Sequence, residues 1–265
     1  MAAASGASFV LPVVRSLCWG THEEAERLGV AGQGTRKWAY RWIEEHVRHA
    51  APVGVLADIG GGGIDSTLCN ALSSCAERVL VLDQAAEGRE KRNIREVDID
   101  LEEGLRGFTD NSVDLFVSAS AIEHLTARGQ QRVFAEMERV LKPGGIFCGT
   151  VSYITRLDAD VIRLLMSDPA FARTGSSVPA RFDARECLAG LRRLRPPFAP
   201  LAWSDFPTFD GFDEATILGN DALISDFVGS YGAVRLIPEI DALRLCWYEM
   251  GLFLRKDPDC RGDAA

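Results

Sequence analysis

The stretch Val53-Gly54-Val55-Leu56-Ala57-Asp58-Ile59-Gly60-Gly61-Gly62-Gly63 decides the fold. An apolar run ends in a carboxylate and four glycines, and the residues after it, 65–72, can be helical. That order reads as strand, tight loop and helix. In an open parallel sheet, ligands bind in the crevice outside the carboxyl ends of the strands, where glycine lets a ligand approach the backbone. An ordinary flexible turn is a poor reason for four glycines, each of which costs roughly 0.5–1 kcal/mol against alanine on folding. The stretch therefore points to a cofactor loop.

What the loop lacks narrows the ligand. In the dinucleotide fingerprint G-x-G-x-x-G/A, the last position falls on Asp65 when counted from Gly60 and on Ser66 when counted from Gly61. A carboxylate there would face a pyrophosphate. Asp58, just before the first glycine, suits a ligand that brings an amino group.

Working outward, Arg78-Val79-Leu80-Val81-Leu82-Asp83 reads as a parallel strand buried on both faces. Asp83 follows Asp58 by 25 residues, near the spacing at which a strand-end acid meets ribose hydroxyls. Residues 84–93 are charged and short, which predicts a truncated helix before a third strand at 94–99. That strand ends in two candidate acids, Asp98 and Asp100. A turn at Asp110-Asn111-Ser112 precedes a fourth strand, 113–118. Apolar spacing predicts a helix over 127–141 that buries Val133, Phe134, Met137, Val140 and Leu141. Lys142-Pro143-Gly144-Gly145 stops it, and a fifth strand spans 146–151.

With these elements placed, Asp58-x-Gly60-x-Gly62 resembles motif I of the class I S-adenosylmethionine-dependent methyltransferases, with Ile64 where that family often has a third glycine. Three later stretches resemble the signature of the family's small-molecule branch: Asp110-Asn111-Ser112-Val113-Asp114, Glu123-His124-Leu125, and Arg139-Val140-Leu141-Lys142-Pro143-Gly144-Gly145. The resemblance covers 53–151 and resumes at 232–237 and 246–255, which look like the family's last two strands. It implies an α/β fold with a Rossmann-like, doubly wound, seven-stranded, mostly parallel sheet whose last strand is antiparallel, plus a lid inserted after strand 5. It also implies S-adenosyl-L-methionine as cofactor. Asp58, Gly60, Gly61 and Gly62 would form its loop, Asp83 would meet the ribose, and Gln84 would also belong to the cofactor site. Asp100 or Asp98 would meet the adenine amine, with the Leu101 N–H on the ring and Ser118 at the end of the fourth strand. His124 is either a general base, for which an imidazole of ordinary pKa about 6.5 is suited, or a structural, cofactor-adjacent residue.

Composition bounds the rest. The 265 residues suffice for one α/β domain with an insertion, and 29 basic against 38 acidic residues give a net charge of −9. That balance argues against nucleic acid or an anionic membrane as partner. No run of about 18 apolar residues is present for a membrane span, and no charged leader precedes the apolar patch before Pro12. Seven scattered cysteines without a C-x-x-C pair read as reduced thiols, which predicts a cytoplasmic protein with no metal site. A homodimer is compatible with all of this.

Residues 1–20 read as a loose arm. A helix over 35–50 carries Trp38, Trp42, Ile43, His46 and His49 on or near one face. This stripe either lines a substrate pocket or packs on the sheet with its histidines at the margin. The domain division is an N-terminal helical arm or cap at 1–52 and a cofactor-binding domain at 53–265. Within the latter, 153–212 is either a substrate lid or a small satellite core. The aromatics Phe198, Trp203, Phe206, Phe209 and Phe212 lean it towards an apolar or aromatic acceptor. The function expected is methyl transfer to a small molecule, with oxygen favoured. The alternative is a cofactor-binding module without catalysis, in a regulatory or assembly role. The failed fingerprint argues against a nicotinamide or nucleotide-sugar oxidoreductase.

Overall fold

Aliphatic runs bounded by glycine and polar turns become strands, and a computed structural model describes residues 17–19, 26–30, 35–84, 86–154, 194–195 and 247–258. The strands are β1 (Leu17–Trp19), β2 (Val53–Ile59), β3 (Ala76–Asp83), β4 (Glu90–Lys91), β5 (Ile94–Asp98), β6 (Val113–Ala119), β7 (Leu141–Ile154), β8 (Leu194–Arg195) and β9 (Trp247–Lys256). They form one sheet in the order β1-β9-β7-β6-β2-β3-β5-β4, with β8 also on β9. β2 pairs in parallel with β3 on one side and β6 on the other, β3 with β5, and β6 with β7. The last strand, β9, runs antiparallel to β7. The chain therefore builds outward from β2 through β3 to β5, then crosses back to β6 and β7. The crevice between β2 and β6 is the switch point at which an open sheet of this kind binds ligands.

Among the described residues, the helices that cover the sheet are α1 (Thr35–Ala50), α2 (Thr67–Leu72) and α3 (Ala127–Val140). Side chains alternate along β2, so Ala57 and Ile59 face one layer and Leu56 the other. On the first face, Val133, Phe134, Met137 and Val140 of α3 pack with Leu82, Phe116 and Phe147. On the second, Trp38, Trp42, Ile43 and Val47 of α1 and Leu68 and Leu72 of α2 meet Val79, Val81, Leu115 and Val117. Burial on both faces explains why these strands are almost uniformly apolar.

Trp38, Trp42 and Ile43 of the α1 stripe belong to this core, with the histidines at its margin. Trp38 and Trp42 are fully buried, and the Trp42 indole lies where a Cβ on Gly251 of β9 would sit. His46 stacks 4.0 Å from the Trp42 ring, its Nδ1 2.8 Å from the Trp42 carbonyl; His49 is exposed.

Several expectations shift. Leu17–Trp19, within the stretch read as a loose arm, is a strand paired with β9. The helix before β5 is absent among the described residues, where the two-residue strand β4 stands instead. Lys142-Pro143-Gly144-Gly145 does more than stop α3: β7 already pairs at Leu141 with Val113, and the register shifts before Ile146 meets Leu115. Gly144, at φ +78°, lies in that irregularity. Of the insertion 153–212, only 153–154 and 194–195 are described. Its aromatic series and the strand expected at 232–237 lie outside the described residues. No helix among the described residues is long and apolar enough to cross a membrane.

Candidate active site

The glycine loop leaves β2 by continuing its ladder for one residue, the Gly60 N–H donating to the Leu82 carbonyl at 2.8 Å. Gly60 then takes φ +69°, and a Cβ there would strike Ala121 from the loop after β6. Both facts require glycine. Two residues on, the Gly62 N–H donates to Asp83 Oδ2 at 3.0 Å, so the acid at the end of β3 holds the loop as well as facing the crevice. Ser66 then starts α2, its hydroxyl oxygen facing the Cys69 N–H.

A cleft of about 360 Å³ opens over the carboxyl ends of β2, β3 and β6. Gly60, Asp83, Gln84, Asp100, Leu101 and His124 all line it, so six of the residues expected from sequence come together. Asp98 pairs in register with Asp83, is exposed, and does not line the cleft. Asp100 uses Oδ1 to accept the Glu102 N–H at 3.0 Å, which caps the short 3₁₀ turn Leu101–Glu103 at the cleft wall. That turn is fixed from the other side. Glu102 accepts the Thr126 N–H at 2.6 Å and the Thr126 hydroxyl at 2.7 Å, and Thr126 caps α3. His124 ends the 3₁₀ turn Ile122–His124 and is half-buried.

Besides Asp98, four more expected residues lie elsewhere. Gly61 and Gly62 do not line the cleft; a Cβ on Gly61 would press on Asp58 Oδ2 at 2.7 Å. Ser118 is buried and donates its hydroxyl to the Ile59 carbonyl at 3.1 Å, tying β6 to β2. Asp58 is only 2% exposed and sits below the loop, its Oδ2 accepting the Cys69 thiol proton at 2.8 Å. Burial pushes the Asp58 carboxyl up to about 7, against the Cys69 hydrogen bond, and the nearby Asp83 charge adds to the rise.

Sequence reasoning missed Arg36, Glu102 and Ser120, all in the cleft wall. Arg36 stands in the first turn of α1, outside the apolar stripe that marks the helix. Ser120 takes φ +52°, which turns the chain out of β6 and into the crevice. Three carboxylates (Asp83, Asp100 and Glu102) thus share the cleft with Arg36 and His124. Among the described residues, no group of three or more His, Cys, Asp or Glu could hold a metal ion.

A family model described as "Methyltransferase domain" matches residues 57–149. The structure is similar to that of geranyl diphosphate C-methyltransferase from Streptomyces coelicolor A3(2), solved with Mg2+, geranyl-S-thiolodiphosphate and S-adenosyl-L-homocysteine. The identity is 15% and the TM-score 0.51, over 82% of this chain and 74% of that one. A geranyl diphosphate methyltransferase solved with SAM matches at 14% identity and TM-score 0.50, over 82% of this chain and 84% of that one. At this identity the likeness is one of fold. A search of curated proteins found no match.

Proposed function

We propose that the chain, whose residues 57–149 match a methyltransferase-domain family model, is a class I S-adenosylmethionine-dependent methyltransferase that moves a methyl group onto a small-molecule acceptor, with oxygen favoured. The observation that carries the proposal is the cleft at the switch point, which Gly60, Asp83 and Asp100 line together.

The residues present fit the cofactor. A volume of about 360 Å³ is within the range of small-ligand sites. Asp83 can accept from two neighbouring ribose hydroxyls and Asp100 from an adenine amine, whereas neither would tolerate a phosphate. Arg36 supplies the cation that an amino-acid carboxylate needs.

When bound, S-adenosylmethionine supplies a sulfonium methyl group that an acceptor lone pair can displace from sulfur. The chain's part is to hold the acceptor in line at about 3 Å and to take a proton from it where the acceptor is a hydroxyl. His124, in the cleft wall, is the residue we assign to that proton. An apolar or aromatic acceptor is supported by the aromatics at 198–212.

The test has two stages. Calorimetry should show binding of S-adenosylhomocysteine and none of NAD. Labelled S-adenosylmethionine with a cell extract should then give label in the small-molecule fraction. Binding without transfer would favour the non-catalytic module, and label in protein or nucleic acid would overturn the acceptor class.

A further inference from the structure

Strand β5 carries one charged side chain that does not face water. Glu96 lies between exposed Arg95 and half-buried Val97, yet is itself only 1% exposed. Its Oε1 accepts the Ile64 N–H at 2.8 Å and Arg89 Nη2 at 2.7 Å. Its Oε2 accepts the Glu87 and Arg89 backbone N–H groups, each at 3.2 Å, and Arg89 Nε lies 3.1 Å from both oxygens. The backbone closes the same unit, the Glu96 N–H donating to the Arg89 carbonyl at 2.9 Å.

One carboxylate therefore joins three segments that sequence keeps apart. Ile64 directly follows the four glycines. Glu87 and Arg89 belong to the short connection that replaces a helix after β3. Both segments reach the cleft at their other ends, through Gly60 and through Asp83 and Gln84. The fit is tight at the loop, since a Cβ on Gly63 would come within 3.2 Å of Glu96 Oε1 and 3.3 Å of Arg89 Nη2. The residue after the four glycines, through its backbone N–H, and the connection that stands in place of the helix are thus joined by Glu96.

We propose that Glu96, charge-paired with Arg89, is the positioning residue that fixes the glycine loop and the β3 wall of the cleft for S-adenosylmethionine. The inference rests on the cofactor reading above. Glu96 does not line the cleft; it acts through the Ile64 N–H and the 86–89 backbone. Glu96→Gln keeps the shape but removes the charge and turns an amide N–H₂ towards donors, so the loop loses its anchor.

The experiment titrates S-adenosylhomocysteine into wild type, Glu96→Gln, Arg89→Lys and Arg89→Ala by calorimetry below the unfolding transition, with amide hydrogen exchange on the cofactor-free proteins. Glu96→Gln should weaken binding about tenfold or more at unchanged stoichiometry. The amides of 62–64 should exchange faster in that variant. Arg89→Lys should retain more affinity than Arg89→Ala. The Arg89 side chain is half exposed, so its variants keep the test readable where Glu96→Gln does not fold. A purely structural role would lower the stoichiometry and leave the Kd of the folded fraction at the wild-type value, which would overturn the proposal. So would an unchanged Kd in Arg89→Ala. Absence of binding by the wild-type protein would overturn the cofactor reading, and this inference with it.

Discussion

Cys69 donates its thiol proton to Asp58 across 2.8 Å, in the layer between α2 and β2 and beneath the glycine loop. Burial raises the Asp58 carboxyl to about 7 from its ordinary value near 3.8. Between those values the folded protein holds a proton that the unfolded chain has released. The contribution of this group to stability is therefore fully present below about pH 4, is lost as pH rises to about 7 and is flat above, a change of up to about 4 kcal/mol. Asp58→Asn should flatten that slope. Urea midpoints at pH 5 and pH 8 for both proteins check this, and equal slopes would refute it.

Asp83 holds the glycine loop and also lines the cleft. Asp83→Ala frees the Gly62 N–H and removes an acceptor from the cleft, so S-adenosylhomocysteine should bind more weakly by about 1.5–3 kcal/mol. Asp100→Asn should weaken binding and Asp98→Asn should leave it unchanged, because only Asp100 lines the cleft. A larger loss in Asp98→Asn than in Asp100→Asn would reverse that assignment.

Arg36 is the guanidinium in a cleft otherwise rich in carboxylates. Arg36→Gln should weaken S-adenosylhomocysteine about tenfold and leave 5′-methylthioadenosine, which lacks the amino-acid moiety, unaffected. Equal losses for both ligands in parallel titrations would place Arg36 away from the carboxylate.

The sheet could be read from sequence because strands buried on both faces are nearly uniform in composition, and because Asp83 and Asp100 stand at or just past the ends of such strands. Which way a strand-end side chain turns could not be read. Asp58 shares the face of Leu56 and so points into the α2 layer, while Ser118 turns to the Ile59 carbonyl. Glu96 was invisible for a different reason. Next to exposed Arg95 it looks like another solvated charge, and its partner Ile64 lies 32 residues away.

The end of β9 stabilises the end of α3. Lys256 is buried and its ammonium donates to Asn111 Oδ1 at 2.8 Å and to the Arg139 and Leu141 carbonyls, where the helix passes into β7. Lys256→Met keeps the stem and removes these donors, at a cost of about 1–3 kcal/mol in stability. The urea midpoint should fall while the Kd for S-adenosylhomocysteine stays at the wild-type value. An unchanged midpoint would show that the contacts contribute nothing net.

His124 separates a chemical role from a packing role. As the base it should lower kcat by about 10²–10⁴-fold on substitution by Ala, with cofactor affinity nearly unchanged. The wild-type rate should also fall at low pH as the imidazole is protonated, and the residual rate of the variant should lose that limb. The cleft geometry makes the opposite case concrete. His124 sits in a 3₁₀ turn whose backbone bond to Ala121 survives the substitution, and Ala121 abuts Gly60, so a structural His124 would act through the packing of its side chain against that turn and the loop. The variant would then bind S-adenosylhomocysteine more weakly or melt earlier, and would keep the wild-type pH profile. Loss of a base changes the chemical step itself, whereas loss of packing changes only how much folded, loaded protein is present. Single-turnover rates at saturating cofactor across pH distinguish the two, and equal rates for wild type and His124→Ala would remove His124 from the chemistry.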